Sequence, residues 1–317
     1  MPEPSLQTTE NKKCIGFIGL GKMGLPMAEN LARSPDWTVL VLDQNPAAAE
    51  KLAGNPGWGT TLTAASRLAD FSGCAAVITM LPDSTITNAV LLGAEGTPGL
   101  ADILPAGTTV LDMGSSDPGE TRRVAELLAA RGIALIDTPV SGSVVKALSG
   151  ELTIMVGAGG AASDFVDAIL RWMGTIIIDT GPVGSAHAMK TLNNYVYSAG
   201  LLAVSEALLV CREMGLDEAA FAEVLNVSSG RNFTTETKLR QFILPRVYNG
   251  GFAFRLMRKD LQTVERLRKA VAVEAPQMAL CAALAVEAEP YLSATADATE
   301  LYRFLEENQK LIAGKES

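Results

Sequence analysis

Short apolar runs alternate with segments of helical spacing from the start of the chain to Gly181. The runs have the length and the polar or glycine boundaries of buried β-strands. They cover residues 14–19, 37–42, 75–81, 108–113, 133–137, 152–156 and 175–179. Helical spacing is found over residues 23–32, from Pro46 onwards and over residues 118–131. This alternation predicts a mostly parallel sheet that is covered by helices on both faces.

The pattern changes after Gly181 and no longer predicts strands. From Ser185 to Gly215 the chain has no break, which predicts one long helix that Gly215 ends. This segment is apolar nearly all round, so we expect it to be buried on most sides. Further helices are predicted over residues 217–225, 235–244, 256–271, 275–289 and 297–311. Asp297 is the predicted N-cap of the last one, with Glu300 three residues on.

These patterns predict an α/β fold in two domains. Residues 12–181 form the α/β domain and residues 182–313 form an all-helical domain, and the long buried helix joins them. A chain of 317 residues is long enough for two such cores.

A glycine-rich segment joins the first predicted strand to the first predicted helix. It reads Gly19-Leu20-Gly21-Lys22-Met23-Gly24. In this context Gly19 permits a tight turn, Gly21 lets the backbone approach a pyrophosphate, and Gly24 lets helix and strand pack closely. The helix N-terminus offers N–H groups and a positive dipole end to the phosphates. The segment therefore predicts a Rossmann-type dinucleotide-binding domain.

Asp43 ends the second predicted strand, where an acidic residue binds the adenosine ribose hydroxyls in such domains. A carboxylate repels a 2′-phosphate, and the next residues, Gln44 and Asn45, provide no cation to receive one. We therefore expect NAD as the cofactor and regard NADP as less favoured. The alternative interpretation of Asp43 is an N-cap for the helix that begins at Pro46.

The net charge, the longest apolar stretch and the number of histidines exclude several classes of protein. The net charge of −9 argues against nucleic acid and against an anionic membrane surface as partners. The apolar stretch over residues 195–211 contains Glu206 and is interpreted as a buried helix, not a membrane span. A single histidine argues against a histidine-based metal site or a catalytic triad, and no metal is expected.

Four widely spaced cysteines indicate buried thiols in a reducing compartment, which favours a cytoplasmic protein. The segment from Met1 to Lys13 is polar, so we expect a disordered leader and not a secretion signal.

Lys190 is the candidate catalytic residue of the second half. It lies in the second turn of the predicted long helix, which carries almost no other charge. A charged side chain in apolar surroundings costs free energy, so its presence there favours a functional role. Asn194 follows at i+4 on the same face and can orient a substrate hydroxyl. A nearby helix N-terminus and burial favour the neutral amine, which can accept or give a proton. The hypothesis is that Lys190 is a general acid/base; the alternative is a surface lysine.

Two further polar residues have open roles. His187, at i−3 from Lys190, either tunes the lysine or is structural, and the structural interpretation is favoured. Arg231 lies in a loop between predicted helices, where a solvated side chain is favoured over an acid-binding one.

Ser141 and Gly142 follow a predicted strand and can offer backbone N–H groups to a carboxylate, although an ordinary turn is the alternative.

Five motifs in order resemble the β-hydroxyacid dehydrogenases, the family of 3-hydroxyisobutyrate dehydrogenase and tartronate semialdehyde reductase. They are residues 16–24, Met80-Leu81-Pro82, Asp137-Thr138-Pro139-Val140-Ser141-Gly142, Lys190-x-x-Asn193-Asn194 and Lys259-Asp260. The resemblance runs from about residue 13 to about residue 305.

The resemblance implies a Rossmann-type domain, a helical domain and an active site in the cleft between them. It implies reversible NAD(P)-dependent oxidation of a small 3-hydroxy acid, and homodimers or homotetramers through the helical domain. By position it assigns the cofactor to Leu81, Pro82, Ser115 and Lys259, the substrate carboxylate to Ser141 and Gly142, and catalysis to Lys190, with Asn194 binding substrate.

The chain departs from the family pattern at four positions. Ser143 replaces the second glycine of Ser-Gly-Gly, Lys146 replaces a small residue, Ala186 replaces a glycine, and Gly114 replaces a serine. Ser143 and Lys146 lie beside the predicted acid-binding turn and indicate a more polar substrate than 3-hydroxyisobutyrate. The first alternative is therefore a tartronate semialdehyde reductase or a related enzyme. Asp43 and the short C-terminal part disfavour a 6-phosphogluconate dehydrogenase, and Lys190 disfavours an imine reductase and a non-catalytic NAD-binding module.

Overall fold

The computed structural model describes residues 12–94, 96–160 and 162–313, with side chains up to residue 308. The chain divides into two compact units, Met1–Lys190 and Thr191–Ser317. Most of the predicted disordered leader lies outside the described residues, but its last residue, Lys13, begins the first strand.

The first unit contains one mixed sheet and a small hairpin. The strands are β1 (Lys13–Ile18), β2 (Trp37–Leu42), β3 (Leu62–Ala64), β4 (Cys74–Thr79), β5 (Gly93–Ala94), β6 (Thr97–Pro98), β7 (Thr109–Asp112), β8 (Ala134–Asp137), β9 (Val140–Ser141), β10 (Leu152–Gly157) and β11 (Gly174–Gly181). The sheet order is β11-β10-β8-β7-β4-β1-β2-β3, with β9 beside β10, while β5 and β6 pair separately.

The six strands from β3 to β8 in this order are parallel, and only β9 and β10 introduce antiparallel pairs. The mostly parallel sheet predicted from the sequence is therefore confirmed. Apolar side chains explain why these runs are strands: Ile15, Phe17 and Ile78 lie in adjacent central strands and are fully buried.

Over the described residues, seven α-helices precede the long helix at the end of the first unit. They are α1 (Gly24–Leu31), α2 (Pro46–Glu50), α3 (Ser84–Leu92), α4 (Leu100–Ile103), α5 (Pro118–Ala129), α6 (Ser143–Ser149) and α7 (Asp164–Arg171). Met27 and Leu31 of α1 are fully buried and belong to the core formed with β1 and β2. The helices thus cover the sheet with one apolar side each.

The order of the strands reverses at β1. From β1 the chain builds outwards through β2 and β3 on one side and through β4, β7 and β8 on the other. In doubly wound sheets a ligand binds at this switch point, beyond the carboxyl ends of the strands. The segments that follow β1, β2, β4 and β7 therefore lie at the edge where a dinucleotide is expected.

The long predicted helix is α8, Ser185–Glu213, and Gly215 follows it with φ +70°. It is long and apolar enough to cross a membrane by length and composition alone. However, it contributes Leu201 and Leu208 to the core of the second unit, where both are fully buried. The burial is one-sided rather than general, because Val196 and Val210 stay more than half exposed.

The described part of the second unit is all-helical, as predicted. After α8 follow α9 (Glu218–Val227), a π-helical segment (Thr235–Ile243), α10 (Phe254–Ala270), α11 (Pro276–Ala288) and α12 (Leu301–Ala313). Two 3₁₀ turns, Glu289–Tyr291 and Ala298–Glu300, lie between α11 and α12, and Asp297 and Glu300 form the predicted capping box at the second. Tyr302 and Leu261 lie at the centre of this core and are fully buried.

Candidate dinucleotide and catalytic site

The three motif glycines have different surroundings: two pack closely against backbone atoms, and the third faces open space. Gly19 has φ +101°, and a Cβ there would lie 3.0 Å from the Met80 carbonyl carbon. A Cβ on Gly24 would collide with the Gly19 carbonyl oxygen. At Gly21, by contrast, a Cβ would meet no described atom within 4 Å, so its backbone faces open space. Gly19 and Gly24 thus shape the turn, and Gly21 leaves room for a ligand against the backbone.

The N-terminus of α1 has the character of an anion site. Its N-cap residue, Met23, makes no side-chain cap hydrogen bond, and the first turn contains no acidic residue. Uncapped N–H groups and the positive end of the helix dipole attract phosphate. Leu20 is buried beneath the loop, while Lys22 is exposed beside it. The loop and helix therefore fit the pyrophosphate of a dinucleotide.

Asp43 is tied to the glycine loop. One carboxylate oxygen accepts the N–H of Leu20 over 2.7 Å, and the other accepts the N–H of Asn45 over 2.8 Å. The N-cap of α2 is Asn45, whose side chain accepts the N–H of Ala47. The alternative interpretation of Asp43 as the N-cap is therefore wrong. Its oxygens retain lone pairs for ribose hydroxyls, since an ionised carboxylate offers about four acceptor sites.

The segments after β4 and β7 adjoin the same loop. A Cβ on Gly19 would lie 3.1 Å from the Leu81 side chain, and a Cβ on Gly114 would lie 2.6 Å from the Leu81 carbonyl oxygen. A serine at position 114, which the family pattern has, would therefore need the backbone to shift. Pro82 and Ser115 immediately follow these contact points along the chain. The structure thus brings together the predicted cofactor residues of the first unit.

The predicted acid-binding turn lies between β9 and α6. Ser141 pairs with Thr153 of β10, and Gly142 and Ser143 both have positive φ, +139° and +63°. A non-glycine residue in this region is uncommon, which explains the glycine of the family pattern at position 143. The stem of Lys146 packs over Gly142, where a Cβ would lie 2.8 Å from Cδ of Lys146. Lys146 is exposed, so its ammonium group lies in solvent near the turn.

A buried carboxylate anchors the beginning of α8. Asp137, at the end of β8, accepts the N–H of Gly184 over 2.7 Å and that of His187 over 2.9 Å. These are N–H groups that a helix cannot satisfy internally. Lys190 lies half-buried one turn further on. The motif aspartate is therefore a structural link between the sheet and the helix turn that carries the candidate catalytic lysine.

The His187 ring is fully buried between the sheet and α5. Its Nδ1 lies 2.8 Å from Thr121 Oγ1, and its Nε2 lies 3.7 Å from Asp112 Oδ2. Nδ1 also lies 3.8 Å from Asp137 Oδ2. This burial agrees with the structural interpretation of His187. The sequence pattern did not single out Asp112, Thr121 or Asp137 as its neighbours, although both aspartates lie at the ends of observed strands, β7 and β8.

The second unit places three motif residues together by itself. Asn194 is buried, and its Nδ2 donates to Asp260 Oδ2 over 2.6 Å. Lys259 Nζ lies 3.1 Å from the other oxygen of Asp260. Asn193 is exposed and donates to Asn194 over 3.3 Å. Asp260 was quoted in a motif but not predicted as a partner of Asn194, since no spacing rule links positions on separate helices.

Arg231 lies outside these groups. Its guanidinium is mostly exposed and lies 3.5 Å from Glu236, in line with the solvated interpretation. Among the residues that the structure describes, no set of three His, Cys, Asp or Glu side chains is placed to hold a metal ion.

The fold and the glycine loop together define the class of protein. A doubly wound sheet with the order β3-β2-β1-β4-β7-β8, a glycine loop at the switch point and an acidic residue after β2 define a nicotinamide-dinucleotide-dependent oxidoreductase.

Comparison with known families identifies the group within this class. Residues 14–182 match the model of the NAD binding domain of 6-phosphogluconate dehydrogenase. Residues 184–305 match the model described as NAD-binding of NADP-dependent 3-hydroxyisobutyrate dehydrogenase. The chain belongs to the β-hydroxyacid dehydrogenase family.

Similar curated proteins cover most of the chain. A 2-(hydroxymethyl)glutarate dehydrogenase of Eubacterium barkeri is 34% identical, over 78% of this chain and 79% of that protein. An NAD-dependent L-serine dehydrogenase of Pseudomonas aeruginosa is 33% identical, over 86% and 91%. The mitochondrial 3-hydroxyisobutyrate dehydrogenase of Homo sapiens is 33% identical, over 80% and 75%.

Solved structures share the fold. A 3-hydroxyisobutyrate dehydrogenase from Mycobacterium tuberculosis with L-serine has a TM-score of 0.82 at 24% identity, over 93% of this chain and 99% of that one. Psf3 in complex with NADP+ and 2-OPP has a TM-score of 0.80 at 22% identity, over 92% and 99%. These likenesses confirm the predicted combination of a Rossmann-type domain and a helical domain.

Proposed function

We propose that the protein reversibly oxidises a small 3-hydroxy acid to its semialdehyde with NAD, and that Lys190 is the general acid/base. The observation that carries this proposal is the anchored start of α8. Asp137 fixes the first helical turn against the sheet by two backbone hydrogen bonds, and Lys190 follows one turn later. A catalytic group needs such fixed placement, because small displacements cost much of the rate.

The proposed division of labour is simple. A nicotinamide cofactor bound at the glycine loop would supply the acceptor for the hydride of the carbinol carbon. The neutral Lys190 amine takes the hydroxyl proton as the C=O bond forms, and the resulting ammonium returns a proton in the reverse direction. Backbone N–H groups of the turn at Ser141 and Gly142 hold the substrate carboxylate. Asn194 is proposed to orient the hydroxyl with the part of its amide that Asp260 leaves free.

The names of the relatives support a shared substrate skeleton. 3-Hydroxyisobutyrate, L-serine and 2-(hydroxymethyl)glutarate are all 3-hydroxypropanoates that differ in the group on C2: methyl, ammonium or carboxyethyl. We propose this skeleton for the present substrate. Selectivity among these substrates then depends on the protein groups that surround the C2 substituent.

A second candidate is a substrate with a polar or anionic C2 group, such as the one that a tartronate semialdehyde reductase forms. It is favoured by Lys146, whose stem covers Gly142, and by Ser143. The two candidates are separated by a panel containing 3-hydroxyisobutyrate, L-serine, glycerate and 2-(hydroxymethyl)glutarate, with NADH formation as the readout. A Lys146→Gln variant should lose kcat/KM for the dicarboxylate and keep it for 3-hydroxyisobutyrate if Lys146 selects the anionic group.

Two further probes test the rivals. 6-Phosphogluconate tests for a 6-phosphogluconate dehydrogenase by formation of NADH or NADPH, and a cyclic imine tests for an imine reductase by consumption of the reduced cofactor. The match of residues 184–305 to the 3-hydroxyisobutyrate dehydrogenase model supports the hydroxyacid assignment over both. Turnover of 6-phosphogluconate alone, or of the imine alone, would contradict the hydroxyacid assignment and support the corresponding rival. No turnover of any probe, with tight NAD binding, would favour a non-catalytic module.

NAD is proposed over NADP because Asp43 lies against the glycine loop and binds Leu20 N–H. A 2′-phosphate in that place would meet a carboxylate and not a cation. The expected result is a higher kcat/KM with NAD. The double variant Asp43→Ser with Gln44→Arg should reverse the preference, while Asp36→Asn, an exposed carboxylate just before β2, should leave it unchanged. Equal or better kcat/KM with NADP in the unaltered enzyme would contradict the assignment.

A homodimer or homotetramer is proposed for the assembly. Its support is the exposed apolar side of the second unit, which includes Val196 and Val210 of α8. Light scattering after size exclusion should give a multiple of the chain mass, and Val196→Glu with Val210→Glu should reduce it. A cytoplasmic location is proposed because the four cysteines, which are far apart in the sequence, are all free thiols. Cell fractionation tests it.

A further inference from the structure

Two of the four cysteines lie side by side at the end of the sheet that is opposite to the glycine loop. Cys14 and Cys74 are register partners at the beginning of β1 and β4, and their sulfur atoms are 2.9 Å apart. Gly19 follows Cys14 by five residues, or about 16 Å along a strand at roughly 3.3 Å per residue. The pair therefore lies away from the cofactor loop and has no part in the proposed chemistry.

A β-bulge places the two side chains on the same face of the sheet. The register between β1 and β4 shifts directly after Cys14, which leaves Ala75 as an extra residue. Side chains alternate between the faces of a regular strand, so without the bulge Cys74 would share a face with Ala76. Instead Cys74 packs with Val77 and Cys14 in one core cluster, and Ala76 belongs to the cluster on the other face. The bulge is thus what aims Cys74 at Cys14.

The geometry of the pair is close to that of a disulfide. Neighbouring strands are about 4.7–4.9 Å apart, within the Cα separation of about 4.4–6.8 Å that a disulfide spans. The sulfur atoms need to approach by less than about 1 Å to reach the S–S bond length of about 2.05 Å. Both residues lie in the first two positions of their strands. A Cβ on Gly73, just before Cys74, would meet no described atom within 4 Å, so the chain has room for this adjustment.

The two cysteines differ in exposure. Cys14 is partly exposed, whereas Cys74 is only 2% exposed. On the inner side, the fully buried ring of Phe71 packs over Gly16, the next residue of β1 on the face of Cys14. A small oxidant in solution therefore reaches the pair through Cys14, while the protein shields Cys74.

The contact between the thiols also favours one thiolate, on Cys14. Either thiol can donate in the neutral pair, but once one proton is lost the remaining S–H donates to the thiolate. This hydrogen bond from Cys74 lowers the pKa of Cys14 against the effect of burial, and the Thr38 side chain lowers it further. The same pairing and burial raise the pKa of Cys74. Since the thiolate is the nucleophilic form, Cys14 is the reactive member of the pair.

We propose that Cys14 and Cys74 form a redox modification site, in which hydrogen peroxide oxidises the two thiols to a reversible disulfide. The Cys14 sulfur attacks one peroxide oxygen; an S–O bond forms, the O–O bond breaks, and the other oxygen leaves as water with the Cys14 proton. The Cys74 sulfur then attacks the sulfenic sulfur; the S–S bond forms, the S–O bond breaks, and the hydroxyl group leaves as water with the Cys74 proton. The two sulfur atoms lose two electrons, which the peroxide gains. Two exchanges with a dithiol reductant restore the thiols.

Peptide mapping of the folded full chain tests this site. After treatment with a small excess of hydrogen peroxide and alkylation of free thiols, trypsin should release Cys14–Lys22 joined to Leu68–Arg122, about 2 Da lighter than the two peptides together. Dithiothreitol before alkylation should remove the link. The double variant Cys211→Ala with Cys281→Ala is the matched control, and it should give the same link because it removes only the other two free thiols. Folded protein in which Cys14 and Cys74 both remain open to alkylation would contradict the proposal.

The order of attack is tested with dimedone, a trap for sulfenic acids. In Cys74→Ser the sulfenic acid of Cys14 has no partner, so dimedone should label it. In Cys14→Ser we expect Cys74 to be labelled at least about tenfold more slowly, because it is shielded and its thiolate is disfavoured. Equal labelling of the two variants would overturn the assignment of Cys14 as the reactive thiol.

A glutathione redox buffer measures how well the fold brings the two thiols together. Their effective concentration in the folded protein should be about tenfold or more above that in urea, because the bulge holds the sulfur atoms in contact. An equal or lower value in the folded protein would show that the native backbone resists the bond, against the proposal. None of these readouts depends on Lys190 or on turnover of a hydroxy acid, so failure here leaves the proposed function untouched.

Discussion

The carboxylate of Asp137 accepts the backbone N–H of His187 over 2.9 Å, although the two residues are 50 positions apart. It also accepts the N–H of Gly184, so one side chain satisfies two donors at the start of α8. The family motif around Ser141 and Gly142 therefore includes an aspartate whose contacts are structural. It connects the end of a sheet strand to the helix that carries Lys190.

Replacing this anchor should destabilise the first unit. Asp137→Ala leaves two buried N–H groups unsatisfied, and we expect a loss of about 2–4 kcal/mol in the free energy of unfolding. Urea denaturation measures it. The matched control is Asp179→Ala, an exposed carboxylate of β11 that accepts one local N–H, from Gly181, and should change stability by less than about 0.5 kcal/mol. Equal effects of the two substitutions would show that the buried contacts do not anchor the helix.

Substitutions at the second and third glycines of the loop should separate effects on stability from effects on cofactor binding. Gly24→Ala forces a methyl group against the Gly19 carbonyl, and we expect a loss of stability of about 2 kcal/mol. Gly21→Ala meets open space, so stability should stay within about 0.5 kcal/mol while NAD binds about tenfold or more weakly. Thermal denaturation and titration with NADH measure these quantities. Unchanged NADH affinity in Gly21→Ala would argue against the pyrophosphate lying there.

Ser143 has a left-handed backbone at φ +63°, where a side chain is strained. Ser143→Gly should stabilise the protein by about 1 kcal/mol, because the conformational penalty of about 1–2 kcal/mol that it removes is larger than the stability lost through the greater entropy of glycine in the unfolded state. Chemical denaturation measures the change. If the serine hydroxyl also contacts substrate, KM for a polar hydroxy acid should rise in the same variant. A loss of stability would show that the hydroxyl makes contacts that outweigh the strain.

The buried contact of Asn194 with Asp260 predicts a double effect. Asn194→Ala removes a donor from a buried carboxylate and should cost about 2 kcal/mol of stability. If Asn194 also orients the substrate hydroxyl, kcat/KM should fall as well. Asn193→Ala is the control, since that neighbour is exposed and should change stability by less than about 0.5 kcal/mol. Lost stability with unchanged kinetics would limit Asn194 to a structural role.

Much of the fold could be predicted because its signals are local. The second strand was predicted over residues 37–42 and is Trp37–Leu42, since an apolar run bounded by polar residues has one favourable structure in a sheet. The capping box of Asp297 and Glu300 was also predicted, because its two residues are only three positions apart in the sequence. The short β9 and the helix α6 were missed, because two or seven residues are too few to show a period.

Contacts between distant residues could not be predicted. Cys14 and Cys74 were expected to be separate buried thiols, yet their sulfur atoms are 2.9 Å apart because they are register partners on β1 and β4. The neighbours of His187 come from three elements that only the folded sheet brings together. The exposed side of α8 was also missed, since an apolar pattern predicts that a face avoids water and not which chain covers it.

The central claim is that Lys190 moves the proton during hydride transfer. The measurement is kcat of Lys190→Ala on the best hydroxy acid of the panel, together with the Kd for NADH from fluorescence titration. The account predicts a fall in kcat of about 10²–10⁴-fold, as for loss of a general acid/base, with the Kd for NADH changed less than about twofold. Turnover near that of the unaltered enzyme, with the protein folded, would contradict the account.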